Sequence, residues 1–134
     1  MRSELWPDLA LLTGRGLIAI LFLSGAVQKA LSPADTQALL AQQGLPGALV
    51  WPALVFNLMA GAMLALGVQA RAVAMVLAAY CAVTSFFHLI PADPWQMSIF
   101  VKNWAITGGC LALAVAGSGR FALRPDAQAA RTRP

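Results

Sequence analysis

The chain has 134 residues, 60% of them hydrophobic and 10% charged, with a net charge of +4; a soluble domain is about 45 to 50% apolar and roughly 25% charged. Small domains leave a large share of their surface in water, so this composition excludes an ordinary soluble fold and indicates one compact integral membrane unit. The positive charge comes largely from the end of the chain and suits an anionic membrane face, so it does not call for nucleic acid.

Four stretches, 9–31, 49–68, 70–90 and 98–117, reach the roughly 20 helical residues that a hydrocarbon core requires. Backbone groups in lipid must be satisfied within the segment, and four spans cannot close a barrel, so an all-α, four-helix membrane bundle is predicted. The first span has Arg2 ahead of it and small residues near Ala30, as a secretory signal would. It is too long for one, contains Arg15 and is followed by three more spans, so it is expected to be a retained helix.

After the first span, Ser32-Pro33-Ala34-Asp35 reads as a helix start, with serine as N-cap, proline at the first position and an acid near the positive dipole end. Leu39 and Leu40 give Thr36 to Gln43 a short apolar edge, and Gly44 and Pro46 stop it, which predicts a short interfacial helix; a plain connector is the alternative. The short connection Gly67 to Arg71 makes spans two and three a tight antiparallel hairpin. Two prolines in Pro91-Ala92-Asp93-Pro94-Trp95-Gln96 forbid helix continuation there. Residues 1–119 form the four-helix domain, and 120–134 a basic tail expected to be partly disordered.

Lysine and arginine fall unequally on the two sides. Arg2, Arg15, Arg71, Arg120, Arg124, Arg131 and Arg133 lie on one, Lys29 and Lys102 on the other, which predicts cytoplasmic termini.

The outer half then collects most of the polar groups: Lys29 at the end of span one, Asn57 in span two, His88 ending span three, and Lys102, Asn103 and Trp104 opening span four. Thr84 and Cys81 share a helix face with His88, and Thr107 and Cys110 extend the stripe from Asn103, so two polar stripes are expected to face each other. Such groups at membrane depth are costly and form a candidate pocket of His88, Lys102, Asn103, Lys29, Asn57, Thr84 and Trp104. Histidine can move a proton near neutral pH and lysine can stabilise oxyanion charge, so a quinone, quinol or lipid phosphate head fits. Each group also has a packing role: Thr and Cys as helix contacts, the lysines snorkelling, and His88 capping final carbonyls. Cys81 and Cys110, at matching depth, are a candidate redox pair, although free cysteine in apolar surroundings is usually inert. No Cys/His spacing calls for a metal, and one histidine does not make a two-histidine haem within a chain.

The succession Gly14-Arg15-Gly16, Phe22-Leu23-Ser24-Gly25 with Lys29, Gly61 to Gly67 ending in Arg71, Phe87-His88, and Val101-Lys102-Asn103 with Gly108-Gly109 resembles the DoxX family of small four-helix bacterial membrane proteins. The resemblance runs from about Leu12 to Gly119 and matches the family's recurring polar residues at Arg15, Lys29, His88, Lys102 and Asn103. It implies association with redox systems, in some members as a subunit beside thiosulfate:quinone oxidoreductase or thiol and superoxide-handling partners. Two positions depart from the family pattern. Asn57 stands where the family often has a glutamate, and Arg124 stands where the closing Gly-x-Gly-x-x-Ser-Leu-Asp has its acid.

The expected function is an accessory, quinone- or lipid-binding subunit of a membrane redox system, without catalytic activity of its own and with quinone as the candidate cofactor. A structural or assembly protein whose polar residues only staple helices is the alternative. A small transporter is a second one, although broken spans and repeats are missing. Small residues at Gly61, Ala65, Gly108 and Ala112 suit internal packing or a homo-oligomer equally.

Overall fold

The computed structural model describes residues 2–126. Five α-helices follow in order: α1 (Arg2–Leu31), α2 (Pro33–Gln42), α3 (Val50–Leu66), α4 (Ala70–Ser85) and α5 (Pro94–Ala116), with short 3₁₀ turns at Gly47–Leu49 and Phe86–His88. Four of the helices are long and apolar enough to cross a membrane, and α2 is the short helix expected between the first two spans. Large apolar side chains such as Leu17 and Val115 point outward, 65% and 76% exposed, which suits lipid and not water.

Helix ends follow local chemistry. Pro94 begins α5 instead of interrupting the chain, because its missing N–H is one of the four a helix start leaves unpaired. Asp93 caps it, accepting from the Trp95 and Gln96 amides at 2.9 and 3.3 Å. Ser32 holds the N-cap position of α2 without a side-chain bond, at φ of −137° and ψ of 64°, while its amide donates to the Gln28 carbonyl, 2.9 Å away, as a last turn of α1. Gly44, with φ of 70°, lets the chain leave α2 as expected.

Helix pairing departs from the tight hairpin anticipated for spans two and three. The extensive contacts are α1 with α3 and α4 with α5, whereas α3 touches α4 lightly despite their short connection. Gly61 explains the first pairing: a Cβ there would meet Leu23 at 2.9 Å and the Ala19 carbonyl at 3.3 Å, so only glycine allows α1 and α3 so close. The core between the pairs is built from small and medium residues, including Ala19, Phe22, Ala60, Leu64, Ala74, Leu77, Cys81, Cys110 and Leu113.

Candidate functional site

At the end of the bundle near α2, three polar side chains from three helices meet. Asn57 of α3 is 3% exposed, and its amide is satisfied when Nδ2 donates to the Ala53 carbonyl and the Tyr80 hydroxyl, both at 3.2 Å, while Oδ1 accepts from Lys29 Nζ at 3.1 Å. Tyr80 of α4 is held by Phe56 and Phe22, with ring centroids 4.7 and 6.2 Å away. Gly25, one turn before Lys29, leaves the space: a Cβ would come within 3.0 Å of the Asn57 amide. No carboxylate pairs with Lys29 among the described residues. The ammonium therefore rests on a neutral amide and the Gly25 carbonyl at 3.5 Å, with donor capacity left for a further oxygen.

Separately, on the outward face of α1, a groove of about 510 Å³ is lined by Ile20, Leu23, Ser24, Val27, Gln28, Leu31 and Ser32. Its lining is mainly apolar, with exposed side chains such as Ile20, Val27 and Leu31.

The other predicted pocket residues distribute differently. His88 is half-buried, with Nδ1 2.7 Å from the Gln96 side-chain oxygen. Thr84 lies one turn from Tyr80 and donates to its carbonyl at 2.8 Å; Tyr80, Thr84 and His88 follow at four-residue spacing. Lys102 is exposed and sits 5.5 Å over the Trp95 ring, away from Asn57. Asn103 is half-buried and its carbonyl accepts from Thr107 at 2.8 Å. Trp104 packs edge-on against Phe86 and Phe100, at 6.1 and 6.3 Å. Cys81 and Cys110 are both buried in the α4–α5 core as free thiols. Among the described residues no group of His, Cys, Asp or Glu could hold a metal ion. Of the seven pocket residues, then, Lys29 and Asn57 meet, and Tyr80, not foreseen, completes the group. Its signal was slight: it is the chain's sole tyrosine, one turn from Thr84 on the polar side of its span.

The opposite end is closed by residues 117–126. Arg15, 1% exposed, donates from Nη1 to the Ser118 carbonyl and from Nη2 to the Phe121 carbonyl at 2.6 Å. Arg71 donates to the last carbonyls of α5 at Ala114, Val115 and Ala116, between 2.5 and 3.4 Å. Asp126 accepts from the Ser118 amide at 2.9 Å and lies 3.9 Å from Arg71 Nε. The Leu123 amide donates to the Leu66 carbonyl at 2.8 Å, which ties the segment to α3. Gly67, in the left-handed region at φ of 72°, leaves room for Ala122, whose Cβ a side chain at 67 would meet at 2.5 Å.

A model of the DoxX family matches residues 10–89, which include Arg15, Lys29, Asn57, Tyr80 and His88. The chain belongs to the DoxX family. It is also similar to the inner membrane protein YqjF of Escherichia coli (strain K12), at 30% identity over 117 residues that cover 87% of this chain and 90% of that one. No solved structure matches it. As a DoxX protein it is a multi-pass membrane protein, and the family match takes in α1 to α4 with the whole Lys29–Asn57–Tyr80 group while ending before α5.

Proposed function

We propose that this DoxX protein is an accessory subunit of a membrane redox system, which binds the polar head of a quinone or similar lipid-like molecule and has no catalytic centre of its own. The observation that carries the reading is the Lys29 ammonium, held at 3.1 Å on the buried Asn57 amide beside the Tyr80 phenol, with no carboxylate partner among the described residues. A cation at membrane depth is costly unless partnered, so an electron-rich carbonyl or oxyanion of a ligand improves its situation. The Tyr80, Thr84, His88 line leads from the head towards the His88 imidazole. Asn57, neutral where a glutamate would titrate, fits binding more readily than proton transfer.

We infer that both termini of this plasma-membrane protein are cytoplasmic. The support is the excess of arginine on the Arg15 side, and the inner-membrane designation of the relative. Reporter fusions at residues 45 and 134 test the orientation, and an active cytoplasmic reporter at 45 reverses it.

The ligand reading is tested in lipid nanodiscs with a short-chain quinone, followed by quenching of tryptophan fluorescence. Wild type saturates, Lys29→Met weakens binding at least tenfold, and Tyr80→Phe weakens it several-fold. If wild type shows no saturable quenching, or Lys29→Met binds as wild type does, the quinone reading falls. Loss of thermal stability in Lys29→Met with no wild-type ligand effect would favour a polar staple between helices instead.

A further inference from the structure

The segment after α5 has an inner and an outer side. Its inner side is the network of Arg15, Arg71, Ser118 and Asp126. On its outer side Arg120, Phe121, Leu123 and Arg124 are all exposed, Leu123 at 72%. Their level in the membrane follows from their backbone partners. Leu123 donates to Leu66, the last residue of α3, and Phe121 lies two residues before Leu123, so this stretch of the segment runs beside the final turn of that span. Arg120 reaches back to Asp8, with its amide 3.0 Å and its Nε 3.8 Å from the carboxylate. Asp8 precedes Arg15 by seven residues of α1, about 10 Å at the helical rise, and stands immediately ahead of the first apolar span at 9–31, at the headgroup boundary.

Two exposed apolar side chains at the hydrocarbon edge, bracketed by guanidinium groups at headgroup level, complement one partner in both respects. Acyl chains accept Phe121 and Leu123, and phosphate oxygens accept the arginines in paired hydrogen bonds. The segment's hold on the bundle is mostly polar, with Ser118 its fully buried side chain, so it opens more readily than the helices and its closed population responds to outer contacts.

We propose that residues 117–126 are a lipid-coupled latch: anionic phospholipid headgroups dock on Arg120, Phe121, Leu123 and Arg124, and the docking holds the segment closed over Arg15 and Arg71. This site is separate from the Lys29 group at the other end and does not depend on the ligand proposed there.

The test is hydrogen exchange of the full chain in nanodiscs of phosphatidylcholine alone and of phosphatidylcholine with phosphatidylglycerol. The reporting amides are Ser118 and Leu123, bonded at 2.9 and 2.8 Å to Asp126 and Leu66. Anionic lipid should slow their exchange by about fivefold for each engaged arginine. In Arg120→Gln/Arg124→Gln that lipid dependence disappears, while amides inside α3 exchange as in wild type. Arg124→Gln alone leaves the Asp8 pair intact and removes about half of the effect on a logarithmic scale. Phe121→Ser/Leu123→Ser speeds exchange in both lipids. Equal wild-type protection in the two lipids, or a double glutamine variant that keeps the full dependence, overturns the latch.

Discussion

The two ends of the bundle hold their cations in opposite ways. Near α2, Lys29 rests on the neutral Asn57 amide and a distant carbonyl. At the other end Arg15 and Arg71 together reach five backbone carbonyls, and the chain itself folds across to supply two of them. Backbone carbonyls cannot leave without unfolding something, so a cation satisfied by them is part of the architecture. The Nε atoms of Arg15 and Arg71 are buried without a hydrogen-bond partner, so neither end is fully satisfied, but Lys29 stands on side chains beside which a ligand's oxygen could fit. The contrast separates an end held by backbone carbonyls from the end where a ligand site is proposed.

The sharpest way to break this contrast is at Arg15. Arg15→Met removes two hydrogen bonds from a charged donor, each contributing about 1.5 to 3 kcal/mol, and strands the Ser118 and Phe121 carbonyls. It should give the largest fall in thermal midpoint in detergent of any single substitution considered. Lys29→Met should fall far less. Equal losses for the two would remove the distinction between the ends. Next comes Gly67→Ala, which adds a Cβ 2.5 Å from Ala122 at a left-handed position; strain and overlap together cost about 2 to 3 kcal/mol. Its control is Gly14→Ala on α1, where a Cβ meets nothing within 4 Å. There the helix gains about 0.5 to 1 kcal/mol. A thermal midpoint for Gly67→Ala at or above that of Gly14→Ala would show that residues 117–126 do not pack on the bundle in the membrane.

How much of this could be read from the chain depends on which coordinate is asked for. Depth is linear in residue number at 1.5 Å per helical residue, so the shared level of Lys29, Asn57, His88 and Lys102 was legible. Azimuth depends on which helices pair, and a short connection suggested α3 with α4 where Gly61 instead draws α3 onto α1. That pairing brings Asn57 to Lys29, while Lys102 turns out over Trp95. Thr84 and Thr107 were legible as a stripe, but each spends its hydroxyl on its own helix, as threonine in an apolar helix can without any partner. The fold of residues 117–126 was the least legible part, because backbone carbonyls hold Arg15 and every residue has one. Asp126 is the exception. It places a carboxylate on the Ser118 amide two residues beyond Arg124, the position where the family pattern has its acid, so the exchange of acid for base at 124 does not leave the network without an anion.

The smallest expected effect asks whether the Lys29 end is a binding site or a staple. A double-mutant cycle with Asn57→Ala and Tyr80→Phe isolates the 3.2 Å bond that joins α3 to α4. Interhelical hydrogen bonds in a membrane protein average about 0.6 kcal/mol by such cycles, because the alternative state in lipid also finds partners. A coupling of that size, with each variant losing ligand affinity by more than it loses stability, fits a trio poised for a ligand's oxygen. A coupling beyond about 1.7 kcal/mol, the upper end of measured values, would mean that the bond itself is what the site is for. The lightly packed α3–α4 contact would then need Asn57 and Tyr80 to hold it, and the two ends would differ in the chemistry of their cations while sharing a structural role.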